Sequence, residues 1–357
     1  MTQPPDDLFK ENERTAPQAE GRCHFALGDL PLKCGVTLPQ VQVAYETWGT
    51  YNGDNAIVVC HALSGDSHCI GWWEALIGPG KAIDTDRYYV IGTNALGGCQ
   101  GTTGPWQAHP EDGRRYGSRF PEITVEDMVA AQARLCDHLG VDKLAAVIGG
   151  SMGGMQALEW ARQFPQRVQR VWMTASCAAH NALQIGFNET ARQAITQDPA
   201  WNGGDYEANQ PPAAGLAVAR MVGHLSYLSE AAFERKFARE KREDGVFQVA
   251  SYLQYQGHKF IHRFDPASLV VLSQAIDQYD GRDVSMVQAD VLLTSFTSDW
   301  LYPSHQSVAL ATALREAGAY AEWHEIDLPH GHDSFLLDGV HQTEIVREFL
   351  ARDPRES

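Results

Sequence analysis

The feature that most constrains this chain is a recurring short, unbroken apolar run. Ala56-Ile57-Val58-Val59-Cys60 is one, Tyr88-Tyr89-Val90-Ile91 and Leu144-Ala145-Ala146-Val147-Ile148 are two more, and Val291-Leu292-Leu293-Thr294-Ser295-Phe296 also reads as a strand. Runs of this length, apolar on both alternating faces, suit parallel strands covered by helices on each side. Val41-Gln42-Val43-Ala44-Tyr45 alternates instead, and residues 321–326 predict a further strand. Between two of the runs a helix is written plainly. Thr124 and Asp127 read as a capping box, Met128, Leu135 and Leu139 follow at helical spacing, and Gly140 stops it. Strand, helix, strand at this spacing predicts a right-handed βαβ unit.

From about residue 180 to 282 the strand signals fade. The segment is helical and aromatic, broken by Gly203-Gly204 and Pro211-Pro212, with a charged helix face expected over residues 233–243. After Asp283 the α/β pattern resumes, including a helix over residues 304–318 that ends at Gly318. The expected architecture is one α/β domain, residues 20–177 and 283–353, interrupted by a helical lid insertion over 178–282. Residues 1–19 are expected to form a flexible N-terminal segment.

Composition removes several classes of function. Against 28 Lys+Arg stand 45 Asp+Glu, a formal charge of −17 over 357 residues. That balance argues against binding nucleic acid or an anionic membrane surface. No run of about 18 apolar residues marks a membrane span. Nine Trp, twelve Tyr and thirteen Phe exclude a disordered chain. The seven cysteines are an odd, scattered set without a CxxC pair or zinc-type spacing, so reduced thiols in a cytoplasmic protein are expected. The polar N-terminus lacks the apolar stretch of a signal peptide.

The strongest local signal is Gly149-Gly150-Ser151-Met152-Gly153, which follows a predicted strand and opens a predicted helix. This is a nucleophile elbow in its proper context. Small neighbours let strand and helix approach closely, and the N–H of Met152 then sits where an oxyanion develops. A serine nucleophile needs a base and an acid that orients it, in the chain order Ser, Asp/Glu, His. Asp299, just past the strand at 291–296, and His332 fit that order. His330 competes as the base, and Asp327 and Asp338 as the acid. A second oxyanion N–H is expected from Leu63, in the loop after the strand at 56–60. The glycine-rich segment Leu96 to Pro105 lacks both the P-loop ending and the dinucleotide spacing, so it reads as a tight loop near the site.

At these residues the chain resembles the serine-nucleophile homoserine O-acyltransferases of the α/β-hydrolase superfamily. The resemblance rests on His61-Ala62-Leu63-Ser64-Gly65-Asp66, Asn94-Ala95-Leu96-Gly97-Gly98-Cys99-Gln100-Gly101-Thr102-Thr103-Gly104-Pro105, Gly149-Gly150-Ser151-Met152-Gly153-Gly154-Met155-Gln156, Ala219-Arg220-Met221-Val222-Gly223-His224, Ser298-Asp299-Trp300-Leu301-Tyr302-Pro303 and His330-Gly331-His332-Asp333. It implies an α/β-hydrolase fold, with a mostly parallel central sheet, helices on both faces and a helical lid. It implies ping-pong acyl transfer from acetyl-CoA to L-homoserine through Ser151, in methionine biosynthesis, with no metal and no bound cofactor. Arg220 then matches the holder of the homoserine carboxylate and Asp333 the partner of its amino group. Succinyl-using relatives carry an arginine two positions after the triad aspartate. Leu301 stands there in this chain and points to an acetyl donor. L-serine as acceptor, succinyl-CoA as donor, and an esterase or thioesterase remain the alternatives. The resemblance also implies a homodimer formed through the lid. Residues 233–242 read as a solvated, mixed-charge helix face, and the pairs Trp72-Trp73 and Tyr88-Tyr89 as core.

Overall fold

The computed structural model describes residues 21–352; the N-terminal segment 1–19 lies outside them. Eight strands form one sheet. They are β1 (Cys23–Pro31), β2 (Thr37–Trp48), β3 (Ala56–Cys60), β4 (Tyr89–Thr93), β5 (Ala146–Gly150), β6 (Arg170–Thr174), β7 (Asp290–Phe296) and β8 (Ala321–Ile326). Their order is β1-β2-β4-β3-β5-β6-β7-β8. The β1–β2 and β2–β4 pairs are antiparallel, and from β4 to β8 every pair is parallel.

The helices are α1 (Cys69–Trp72), α2 (Val125–His138), α3 (Met152–Gln163), α4 (Ala182–Thr196), α5 (Ala213–Tyr227), α6 (Glu230–Lys236), α7 (Gln248–Phe260), α8 (Pro266–Gln278), α9 (Ser304–Glu316), α10 (Ser334–Leu337) and α11 (His341–Ala351). Helices α4 to α8 all fall between β6 and β7, where the strand pattern of the sequence lapses. The capping box forms as read: Thr124 accepts from the Asp127 N–H, and the Asp127 carboxylate accepts from the Thr124 N–H. Helix α2 carries the chain from β4 to β5, which flank β3 on either side.

The apolar runs lie where both sheet faces are covered. Along β3, Ala56, Val58 and Cys60 join the core beneath α2 and α3, whereas Ile57 and Val59 join the opposite core with Trp73, Trp172 and Phe335. All five are buried. Strands β1 and β6 escape the pattern reading. The first is largely exposed and carries bulges around Gly28; the second begins at a buried Arg170. One expectation is corrected. The charged stretch 233–243 is not one helix. Helix α6 stops at Lys236, Ala238 takes φ 42°, and the chain turns back so that Lys241 bridges Phe247.

The start of α3 is pressed against two strand ends. A Cβ on Gly149 would overlap the Gly153 backbone, and a Cβ on Gly153 would overlap the Cys60 carbonyl at the end of β3. Backbone is what a new methyl would meet, so neither site can yield by turning a side chain. Gly153→Ala should therefore destabilise the fold by about 1–3 kcal/mol through overpacking. Thermal or urea unfolding measures this, and wild-type stability would contradict the packing argument.

Candidate active site

Ser151 occupies the tight turn between β5 and α3 with φ 55° and ψ −125°. A non-glycine residue held there stores about 1–3 kcal/mol of strain. Its surroundings hold it. The Ser151 N–H donates to the Thr174 carbonyl at 3.1 Å, and the Ser176 hydroxyl donates to the Ser151 carbonyl at 2.7 Å. The turn puts the serine at the N-terminus of α3, where the helix dipole favours negative charge. Met152, the next residue, is the first of that helix.

Asp299 and His332 come from separate loops at the same sheet end, Asp299 after β7 and His332 after β8. Asp299 Oδ2 lies 2.8 Å from His332 Nδ1, and both side chains are buried, at 0% and 3% exposure. The other carboxylate oxygen accepts the backbone N–H groups of Leu301 at 3.0 Å and Tyr302 at 2.8 Å. An ionised carboxylate satisfied in this way orients the ring and fixes a proton on Nδ1, leaving Nε2 as the basic nitrogen. The competitors are engaged elsewhere. His330 lies 3.4 Å from the Arg235 guanidinium, and burial with that positive charge holds its pKa low. Asp338 caps α11 through the N–H groups of Val340, His341 and Gln342, and Asp327 accepts from the Thr297 hydroxyl.

Leu63 follows β3 in a loop organised by His61. The His61 ring accepts the Ala95 N–H at Nε2 (2.9 Å) and meets the Ala62 carbonyl at Nδ1 (2.7 Å). Only one neutral tautomer satisfies both bonds. Burial lowers the His61 pKa; the Ala62 carbonyl and Asp66 oppose this, and Arg22 adds to it. The close approach at Gly153 sets this loop beside the start of α3.

A cavity opens at Ser151. Leu63, Arg220, Leu301 and Tyr302 line it, together with His180, Tyr227 and Phe260. Arg220 projects from α5 into it, 9% exposed, with its guanidinium carbon 4.7 Å from the Phe260 ring centre and 5.9 Å from that of Tyr227. Asp333, in the short turn with His332, stands outside the lining. The site is knitted to the helices above it: Trp300 Nε1 donates to the Leu228 carbonyl at 3.1 Å, and Gly331 at φ 73° packs on the backbone of Tyr227 and Leu228. The glycine-rich loop joins in, since Gln100 Nε2 donates to the Arg263 carbonyl and Arg263 donates to the Ser64 carbonyl. Tyr302, His180, Tyr227 and Phe260 were not singled out from sequence. Tyr302 lies only three residues past Asp299, but a tyrosine there has no pattern that separates lining from core. Among the described residues, no group of three or more His, Cys, Asp or Glu side chains is arranged to hold a metal. No helix among them is long and apolar enough to cross a membrane.

The sequence profile of the alpha/beta hydrolase fold matches residues 55–338. A homoserine O-acetyltransferase from Solidesulfovibrio magneticus is 46% identical over 90% of this chain and 89% of its own length. The chain belongs to the homoserine O-acyltransferase family of α/β hydrolases. A homoserine O-succinyltransferase from Bordetella pertussis is 45% identical over 92% of this chain and 87% of its own. The crystal structure of a homoserine O-acetyltransferase from Bacillus anthracis superposes with a TM-score of 0.88 at 30% identity, covering 94% of this chain and 99% of that one.

The His61 bonds predict a pH effect on stability. A histidine whose pKa is lowered by folding contributes stability above its unfolded value, about 6.5, that is lost as pH falls through the lower folded value. His61→Gln, which retains an acceptor and a donor but cannot take up the proton, should flatten that acid limb of a denaturation–pH profile. An unchanged limb would mean the ring is not the group responsible.

Proposed function

We propose that this protein transfers an acetyl group from acetyl-CoA to the hydroxyl of L-homoserine, with Ser151 as nucleophile, His332 as base and Asp299 as the residue that orients it. The observation that carries this reading is the strained Ser151 turn opening on the same cavity as the buried Arg220 guanidinium. Ser151 Oγ attacks the thioester carbonyl as His332 Nε2 takes its proton. The N–H groups of Met152 and Leu63 hold the oxyanion. CoA leaves with the proton, and the acyl group stays on Ser151. The homoserine hydroxyl then loses its proton to His332 and attacks the acyl-serine, and that proton returns to Ser151 as O-acyl-homoserine departs. The chemistry of serine acylation needs no metal and no resident cofactor.

Arg220 suits an α-carboxylate, since its guanidinium forks onto two carboxylate oxygens. The resemblance assigns the ammonium group to Asp333, beside His332, although Asp333 stands outside the cavity lining. Helices α4 to α8, residues 178–282 with their links, form the lid that excludes water and so favours transfer over hydrolysis. Leu301, buried and lining the cavity, supports acetyl over succinyl because a distal carboxylate there would lose its hydration without a partner. The exposed Val218, Leu225 and Tyr255 of α5 and α7 support a homodimer joined through the lid. The seven free thiols support work in the cytoplasm, on the route to methionine.

Release of CoA thiol from acetyl-CoA or succinyl-CoA, with and without L-homoserine or L-serine, tests the reading. Fast release that requires homoserine and prefers acetyl-CoA is expected. Release indifferent to either amino acid would make the protein a thioesterase, and a succinyl preference would overturn the role of Leu301.

Three substitutions test the roles. Ser151→Ala should abolish the acyl-enzyme. Asp299→Asn should lower kcat by about 10³–10⁴-fold, by permitting the wrong imidazole tautomer. Arg220→Lys should raise the KM for homoserine and leave that for acetyl-CoA unchanged. A KM for homoserine at the wild-type value would remove Arg220 from the carboxylate site.

A further inference from the structure

A line of buried polar groups runs from the lid to Ser151, and the transfer steps above do not use it. It starts at Asp277 on α8. That carboxylate accepts from the Arg192 guanidinium at 2.6 Å and from Asn188 Nδ2 at 2.7 Å, both on α4, and lies 2.8 Å from His180 Nδ1. His180 sits in the link from β6 to α4 with its side chain 2% exposed. Its Nε2 is 2.7 Å from the Tyr302 phenol oxygen. The buried Tyr302 ring stacks on His332, with centroids 4.8 Å apart and planes inclined by 20°, and its phenol stands beside Ser151. His180, Tyr302 and Ser151 line one cavity.

The protons along this line follow from what each group can donate. A carboxylate only accepts, so the His180 nitrogen facing Asp277 carries hydrogen. In the neutral imidazole the other nitrogen, Nε2, is then an acceptor. The Tyr302 O–H is the donor that meets it. Burial pushes the phenol pKa well up, which keeps that proton in place. The phenol oxygen then faces Ser151 with a lone pair, and the serine donates.

We infer that His180, aimed by Asp277, is a positioning residue that acts through Tyr302: it takes up the phenol hydrogen bond, leaves the phenol oxygen as an acceptor for the Ser151 hydroxyl, and thereby favours the free enzyme over the acyl-enzyme. The inference rests on Ser151 being the nucleophile. Acylation forms the bond from Ser151 Oγ to the acyl carbon and breaks the thioester C–S bond, while the serine proton passes through His332 to the departing thiolate. Oγ then has no hydrogen, and it faces an oxygen whose own proton is committed to His180. Turning the phenol O–H toward Oγ would leave His180 Nε2 buried and unpaired. Attack by the acceptor hydroxyl returns a proton to Oγ through His332 and restores the bond to Tyr302. The arrangement discourages a standing acyl-enzyme, the species exposed to loss by hydrolysis.

The test is the ratio of acylated to free enzyme at fixed acetyl-CoA to CoA ratios, without homoserine, read on the rapidly quenched intact full-length protein by mass spectrometry. His180→Ala should raise that ratio about fivefold to tenfold, the scale of one buried hydrogen bond. Tyr302→Phe, which deletes one oxygen and retains the stacked ring, should raise it equally, and the double variant no further. His180→Gln retains an acceptor for the phenol and a donor for Asp277, and should restore the wild-type ratio. Should His180→Ala not fold by circular dichroism, Tyr302→Phe and His180→Gln decide the matter by the same readout. An adduct on wild-type Ser151 whose ratio stays within twofold in the single variants overturns the inference. Absence of any adduct on Ser151 in the wild-type protein overturns the nucleophile assignment instead.

Discussion

The structure depends on the close approach of α3 to the ends of β3 and β5. Gly149 and Gly153 leave no room for a side chain at that crossing, and the turn between them holds Ser151 at φ 55°. A conformation that costs about 1–3 kcal/mol persists only where the surrounding packing over-determines it. Here the Thr174 carbonyl, the Ser176 hydroxyl and the wholly buried strand on each side supply that constraint. The strain lifts the serine side chain out of the sheet end and puts the following N–H at the helix start. One backbone contact thus sets both the strained serine turn and the helix start beside it.

Everything else at the site is brought to that turn by the parallel strands. Loops after β3, β7 and β8 leave the sheet at one end, so Leu63, Asp299 and His332 converge although they are far apart in sequence. The helices between β6 and β7 add a second layer. Among the contacts that tie it down are the Trp300 bond to Leu228, the packing of Gly331 on Tyr227, and the Asp277–His180–Tyr302 line. Each of these starts from a residue within three positions of Asp299 or His332 on the core side. The position of those helices and the geometry of the Asp299–His332 pair are therefore mechanically linked, and the cavity that holds Arg220 is bounded by the same contacts that hold His332.

The parts legible in the sequence share one property: their physics is local or periodic. Five-residue apolar runs, a Thr124–Asp127 capping box and a glycine-flanked serine each announce themselves within a few positions. The Asp299–His332 pair was readable through chain order, because a fold of this topology brings the loops after its later strands to the elbow. What escaped is non-local or irregular. Strand β1 is mostly exposed and bulged, so it carries no apolar run, and β6 opens on an arginine. The charged stretch after Phe233 has helical composition throughout, yet Ala238 turns out of the helix at φ 42° and no residue type there signals it. His180 and Tyr302 sit 122 positions apart, and only the folded chain places their polar atoms 2.7 Å from each other.

Homoserine and water are both hydroxyl nucleophiles, so in the proposed mechanism choice between them cannot reside in Ser151, His332 and Asp299, which treat them alike. It must come from what surrounds the acyl group. Leu63, Leu301, Phe260 and Tyr227 give that space apolar walls, and Arg220 interrupts them with a single buried cation. A buried guanidinium over two aromatic faces suits a carboxylate that binds it in a fork. An amino-acid carboxylate held at Arg220, as proposed above, would fill the space from which water attacks. The same logic explains why the lid must be anchored to the loops of Asp299 and His332. In the proposed mechanism, a lid free to lift would admit water between loss of CoA and arrival of the acceptor, when the acyl group has no protection but the walls around it.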